Sequence, residues 1–266
     1  MRMEETSLRE TSFKEMVAES SRMKRSSIVL ALDLIPKEPK SLLSKSMEVL
    51  EETHRYICAL KINRHLVLPL GLFGGVQKIL ETARDLGLPT IMDCKINDIG
   101  HTNRIIAEQY FKAGFDAVTA NPLVGWDGGL KPVFEVAREM GRGVILLVYM
   151  SHKAAAEGYG QRVYDPAAGK TKPQYLVFAE RALSWNADGA VVGATYPEKI
   201  REVHDLLGSQ VPIYSPGVGV QGGSVESAVR SGARYIIVGR SIVLADDPCE
   251  AAKSIRERVM RLPLES

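Results

Sequence analysis

Three things are scarce in this 266-residue sequence: cysteine, long apolar runs and net charge. The three cysteines, Cys58, Cys94 and Cys249, lie far apart and are odd in number. They form no metal-binding spacing and no disulfide framework, which fits a reducing cytoplasm. No apolar run approaches the roughly 18 residues of a membrane span, so no membrane association is expected. A net charge of +2 gives no general field for a polyanion. The one basic cluster, Arg22-Met23-Lys24-Arg25, is short and lacks aromatics, so nucleic acid is not an expected partner. The five histidines are scattered, and neither His101 nor His152 has a paired ligand spacing. Nothing resembles a nucleophilic triad. The N-terminus is charged and Ser-rich without an apolar core, so no secretory signal is expected there.

What is present is a repeated alternation. Hydrophobic residues make up 45% of the chain, enough for a sizeable core. From residue 27 onward, apolar strand-like runs alternate with helical patterns. The strands are expected at residues 28–32, 57–62, 88–92, 115–120, 144–150, 189–192, 211–214 and 235–238. Helices are expected between them, the first opened by Pro36 and Pro39 and others closed by Gly87, Gly114, Gly141 and Gly208. Such alternation implies parallel strands with crossover helices. Eight units favour a closed (β/α)8 TIM barrel of the α/β class, for which about 250 residues is typical. The organisation expected is one barrel domain over residues 27–266 behind a polar extension, residues 1–26. In that extension Phe13, Met16 and Val17 have helical spacing. They suggest a short helix plugging the underside of the barrel, with a disordered tail as the other reading. The connection from Ser151 to Lys172 is unusually long and reads either as a lid or as an idle surface insertion.

The stretch from Ile91 to Asn103 stands out. Asp93, Lys95 and Asp98 fall within six residues at the end of an apolar run. Residues two apart on a strand share a face, so Asp93 and Lys95 are expected to project together and Cys94 away from them. Asp98 follows in the turn, so one strand tip should present carboxylate, ammonium and carboxylate to one place. A surface ion pair would fit the same letters, but sites on α/β folds sit at the carboxyl ends of strands. Asp33 ends the first strand and Lys61 lies near the end of the second. Adjacent tips are about 5 Å apart, which gives an alternating row of Asp33, Lys61, Asp93 and Lys95 that compensates its own charge. Lys95 between carboxylates should be held protonated and could act as a general acid. A network that only stabilises the barrel is the alternative.

A second constellation lies near the C-terminus. Ser215-Pro216-Gly217-Val218-Gly219-Val220-Gln221-Gly222-Gly223 follows the seventh strand, and Gly239-Arg240-Ser241 follows the eighth. Glycines let backbone N–H groups approach an anion, and the loops after strands seven and eight are the usual phosphate site of such barrels. Arg240 could add a bidentate contact.

With these motifs in place, the sequence resembles the orotidine 5'-monophosphate decarboxylases of the short archaeal type. The resemblance covers about residues 27–261 and rests on Leu30-Ala31-Leu32-Asp33, Leu60-Lys61-Ile62 and Asp93-x-Lys95-x-x-Asp98 followed by Thr102-Asn103. It rests also on Met150-Ser151-His152, on the glycine-rich segment after strand seven and on Ile237-Val238-Gly239-Arg240-Ser241. It implies a small-molecule nucleotide substrate, loss of CO2, uridine 5'-monophosphate as product and no cofactor or metal. It also implies a homodimer with shared active sites, in which Asp98 and Thr102 reach the partner's site.

By the same resemblance, Lys95, Asp93, Asp98 and Lys61 are the catalytic residues. Lys95 protonates C6, and Asp93 lies against the departing carboxylate. Asp33 and Lys61 fit the ribose, Ser151 the base edge, and Gln221 and Arg240 the phosphate. Ile99 and Thr102, with Pro216, Gly217, Val218, Gly219, Val220, Gly222 and Gly239, complete the expected substrate contacts. Gly100-His101 stand where Pro-Glu is common in the family, and the segment from Ala154 to Lys172 is longer than the family pattern. Two alternatives differ in kind. The first is a Mg2+-dependent phosphosugar decarboxylase or aldolase of the same suprafamily, which has a glutamate at the second strand tip where this chain has Lys61. The second is a non-catalytic nucleotide-binding barrel.

Overall fold

The computed structural model describes residues 12–35, 38–165 and 169–262. The chain enters through α1 (Phe13–Lys24) and reaches β1 (Ile28–Ala31), α2 (Pro39–Thr53) and β2 (Ala59–Asn63). Next come α3 (Arg64–Leu70), α4 (Gln77–Asp85), β3 (Thr90–Ile96), α5 (Gly100–Ala113), β4 (Ala117–Ala120) and α6 (Lys131–Glu139). After β5 (Gly143–Tyr149) a short α7 (Ala155–Gly158) leads to β6 (Arg162–Asp165) and β7 (Lys170–Pro173). The chain continues through α8 (Gln174–Ser184), β8 (Gly189–Val192), α9 (Pro197–Leu207), β9 (Ile213–Pro216) and α10 (Val225–Arg230). It ends with β10 (Tyr235–Val238), α11 (Arg240–Val243) and α12 (Pro248–Met260). Eight of the strands close a parallel barrel in the order β1-β10-β9-β8-β5-β4-β3-β2. The expected (β/α)8 barrel is therefore the observed one.

Strand alternation sorts the core into two layers. Val29, Ala31, Ile91, Ala117, Ile145, Leu147, Val191 and Ile237 fill the barrel lumen. Their neighbours Ile28, Leu30, Met92, Cys94, Val118, Leu146 and Val192 face the helices. Parallel strands covered on both sides read as continuous apolar runs for this reason. The lower end of the lumen is sealed by α1, the underside plug. Ser12 and Glu15 form a capping box at its start. Phe13 is 1% exposed and Val17 is fully buried, and both join the lumen cluster. Phe13 packs so closely on β5 that a Cβ at Gly143 would stand 2.7 Å from its ring. Burying a phenylalanine is worth roughly 1.5–3 kcal/mol, so this plug contributes to stability.

Several expectations shift. Helix forms from Arg64, earlier than the expected Gly74, and runs through Pro69. The stretch Arg64–Asp85 is 22 residues long and apolar enough to pass for a membrane span, contrary to the expectation that none would. It is not one straight helix, because Phe73 (φ −92°, ψ 21°) and Gly74 (φ −124°, ψ −109°) break it. The long connection after β5 is not structureless: β6 and β7 pair as an antiparallel hairpin. Lys172 on that hairpin bonds Asp165 at 2.6 Å and also pairs with Glu180 on α8. Tyr159, just before the hairpin, packs against Tyr149 at the end of β5 (centroids 6.2 Å apart) and Phe178 on α8 (5.9 Å). Pro36, Pro166 and residues 1–11 of the extension lie outside the described residues.

Candidate active site

The third strand is longer than its apolar letters suggest. It was expected over residues 88–92 but runs Thr90–Ile96, so Asp93, Cys94 and Lys95 belong to it. Against β4 the ladder pairs Met92 with Val118 and next Ile96 with Ala120. Three residues of β3 therefore face one residue of β4, a bulge that re-aims side chains at the barrel rim. Within it Lys95 has a φ of +52°, a left-handed conformation rare for a residue with a long side chain.

The side chains meet as the alternating row requires. Asp93 accepts from Lys61 Nζ through Oδ2 at 2.7 Å and from Lys95 Nζ through Oδ1 at 2.5 Å. Thr119 on β4 donates its hydroxyl to the same Oδ1 at 3.1 Å. Burial opposes the charge on Asp93, but the two ammonium groups outweigh it and hold the carboxyl well below the usual carboxylate range. Burial likewise opposes the charge on Lys61, and Asp93 and Asp33 together override it, so its pKa lies above the ordinary lysine value. Both groups thus stay ionised through neutral pH. Cys94 points away into the outer layer, where burial, reinforced by Asp93, pushes its thiol up to about 12.

A cavity of about 220 Å³ opens over this row at the carboxyl ends of the strands. Its walls include Asp33, Lys61, Asp93, Lys95 and Ser151, with Pro216 at the end of β9 and Gly217, Val218, Val220 and Gln221 from the loop after it. Gly239 and Arg240, after β10, stand beside that loop and complete the wall between it and Asp33. Gly239 could not be another residue without displacing Asp33, since a Cβ there would lie 2.5 Å from Asp33 Oδ2. Arg240 and Gln221 are exposed, and the Arg240 guanidinium pairs with no carboxylate among the described residues. The cavity thus joins a compact charge row to a glycine-rich loop and a cation with no carboxylate partner among the described residues, a layout suited to a small anion-bearing molecule.

Not every expected residue converges. Asp98, Ile99 and Thr102 do not line this cavity, nor do Gly219 and Gly222. The expectation that Asp98 shares one place with Asp93 and Lys95 is therefore corrected within a single chain. The turn after β3 faces outward: Asp98 is exposed, and its Oδ1 accepts from the N–H of Ile99 at 2.7 Å. Asn103 fixes this turn, donating to the carbonyls of Asp98 (2.5 Å) and Gly129 (3.0 Å). Asn63, Thr119 and Tyr214 are polar wall residues that were not anticipated. Asn63 follows Lys61 by two positions on β2, so the period-two rule could have found it.

Residues 26–255 match the sequence model of the Orotidine 5'-phosphate decarboxylase / HUMPS family. The orotidine 5'-phosphate decarboxylase of Methanosarcina mazei is 36% identical over 232 residues, covering 87% of this chain and 94% of that protein. That of Pyrococcus furiosus is also 36% identical over 232 residues, covering 87% and 97%. Among solved structures, an OMP decarboxylase of Leishmania donovani superposes with a TM-score of 0.80 at 28% identity, over 93% of this chain and 97% of that one. The orotidine 5'-monophosphate decarboxylase of Methanocaldococcus jannaschii, complexed with the inhibitor BMP, gives a TM-score of 0.73 at 29% identity over 88% and 98%.

Proposed function

The chain belongs to the Orotidine 5'-phosphate decarboxylase / HUMPS family and converts orotidine 5'-monophosphate to uridine 5'-monophosphate in pyrimidine biosynthesis, and we propose that Lys95 is the acid that protonates C6. The observation that carries this role is Asp93 held between two ammonium groups on the floor of the mouth cavity. When the C6–carboxylate bond breaks, CO2 leaves and the electron pair stays on C6. No large π-system is available to absorb that charge. An ammonium group fixed beside the carbon stabilises the developing carbanion and then transfers a proton to it. Asp93 keeps Lys95 in place before substrate arrives, so little reorganisation is needed during the reaction. Asp33 and Lys61 are assigned to the ribose, Ser151 to the base edge, and Gln221 and Arg240 to the phosphate.

We read the reaction as independent of metal and cofactor. Lys61 occupies the strand tip where a metal-dependent relative would need a carboxylate, and an ammonium repels Mg2+. Among the described residues, no three His, Cys, Asp or Glu side chains stand together as a ligand set. Purified protein mixed with orotidine 5'-monophosphate should therefore change the pyrimidine ultraviolet absorbance equally with and without a chelator. Full dependence on added Mg2+ after chelation would promote the phosphosugar reading instead.

The site is completed, on this reading, by a second copy. Asp98, Ile99 and Thr102 sit outside their own cavity, and Ile99 is 68% exposed. Leu68, 83% exposed, and Leu123, 62% exposed, lie in the segments that follow the adjoining strands β2 and β4. In a two-fold dimer that turn would reach the partner's mouth. Mixing inactive Lys95→Ala with inactive Asp98→Ala should regenerate activity once subunits exchange. One hybrid site then carries both defects and the other carries neither. Verified heterodimers without recovered activity would make each subunit self-contained. Residues 1–26 are read as an extension to the barrel domain. A cytoplasmic setting fits the free thiols Cys58, Cys94 and Cys249.

A further inference from the structure

The two strands that meet at Lys95 are out of step. Between the ladder pairs Met92–Val118 and Ile96–Ala120, β3 carries Asp93, Cys94 and Lys95 while β4 carries only Thr119. A bulge of this kind leaves backbone groups without their ladder partners. Thr119 supplies one. The N–H of Lys95 donates to Thr119 Oγ1 at 2.9 Å, and that hydroxyl donates in turn to Asp93 Oδ1 at 3.1 Å. A hydroxyl has one proton and two lone pairs, so it can accept the first bond and donate the second. Asp93 Oδ1 also takes the ammonium of Lys95, at 2.5 Å. The result is a closed ring of contacts from the Lys95 backbone, through Thr119 and Asp93, to the Lys95 side chain. Thr119 is 3% exposed, so water does not compete for these bonds.

We propose that Thr119 is a positioning residue, whose hydroxyl holds Lys95 in its left-handed backbone conformation and aims the ammonium at the reacting carbon. The proposal rests on the reading of Lys95 as the acid. Left-handed backbone at a residue with a side chain persists only where the surroundings over-determine it. Here the surroundings are few: the Lys95 N–H has this hydroxyl as its partner, and the ammonium has Asp93. The neighbouring links fix the frame and not the lysine. Asn121 N–H donates to Ile96 O at 2.8 Å, and Cys94 Sγ donates to Thr119 O at 3.4 Å. Without the hydroxyl, Lys95 would keep its charge and its partner carboxylate but lose its fixed direction.

Thr119→Val keeps the shape of the side chain and removes the hydroxyl, and Thr119→Ser keeps the hydroxyl. Steady-state kinetics, thermal unfolding and binding of uridine 5'-monophosphate would be measured for both beside the parent and Lys95→Ala. A small misplacement of a reacting group can cost on the order of 100-fold, so kcat of Thr119→Val should fall by about 10- to 100-fold. KM and the affinity for uridine 5'-monophosphate should stay within about twofold, because the phosphate and ribose contacts are untouched. Thr119→Ser should recover most of the lost kcat. If Thr119→Val does not fold, Thr119→Ala removes the hydroxyl without crowding the site, and the same expectation applies to it. A fully active Thr119→Val beside an inactive Lys95→Ala would overturn the positioning role alone. So would a Thr119→Ser enzyme as slow as Thr119→Val, or a loss confined to KM. An active Lys95→Ala enzyme would overturn the acid assignment and this proposal with it.

Discussion

Lys95→Ala should lower kcat by on the order of 10⁴-fold or more, since a positioned acid typically contributes 10²–10⁴ and a preorganised charge about 10²–10³. The two effects reside in one ammonium group, so one truncation removes both. KM should change far less, because the phosphate grip lies on the other side of the cavity, at Arg240 and the loop after β9. The substitution also leaves Asp93 with Lys61 as its remaining cationic partner at 2.7 Å, so the carboxylate is not stranded and the fold should survive. Single-turnover absorbance measurements at saturating substrate separate the chemical step from binding. Turnover within tenfold of the parent would remove Lys95 from the acid role.

Cys94→Ala is the matching control. Its thiol lies in the outer layer, 4% exposed, and accepts no part in the cavity wall. Burial and the nearby Asp93 keep it protonated, with a pKa of about 12, so it has little nucleophilic character. The variant should therefore retain near-parental turnover. Inactivation of folded protein by a thiol reagent acting through Cys94 would contradict the strand facing that puts Lys95 in the cavity.

The barrel could be read from the sequence because its strands are buried on both faces. Gly189–Val192 and Tyr235–Val238 are uninterrupted apolar runs, and the observed strands coincide with the expected ones. The end of β3 could not be read so. Charged residues normally mark the end of a strand, and here Asp93 and Lys95 lie inside one because each neutralises the other. The helix at Arg64–Leu70 was hidden by Pro69, which ordinarily stops a helix. The hairpin Arg162–Asp165 with Lys170–Pro173 is polar and half exposed, so it lacks the apolar pattern that identifies a strand. In the site, the charged residues and the glycine loop were legible from residue type and their place at strand ends. Thr119 was not, because a threonine in a strand is an ordinary β-former and its role depends on a bulge in the neighbouring strand. The outward turn at Asp98 was not legible from strand pattern, because its direction is set by Asn103 bonding across to Gly129, although the family resemblance implied it.

Arg240→Ala should cost roughly 2–5 kcal/mol of transition-state stabilisation, as loss of one member of a desolvated charged pair typically does. The guanidinium stands exposed at the cavity rim without a carboxylate partner among the described residues, so its charge is available to a substrate phosphate. Gln221 sits on the adjoining glycine-rich loop, also exposed, with a neutral amide to donate. Drawing that loop over a bound phosphate would desolvate both groups and use remote binding energy for the chemistry at C6. Gln221→Ala should cost less, about 1–3 kcal/mol, since a neutral donor is lost. Each loss should shrink sharply when the substrate is orotidine, which has no phosphate for either group to hold. A cycle of the two variants against both substrates, read as ratios of kcat/KM, isolates this dependence. The two residues act on one group through one loop movement, so the double variant should lose less than the sum of the single losses. An Arg240→Ala enzyme that slowed orotidine as much as orotidine 5'-monophosphate would show that the guanidinium acts on something other than the phosphate. The loop after β9 would then need a different ligand, and the division of this mouth into a phosphate side and a reacting side would fail with it.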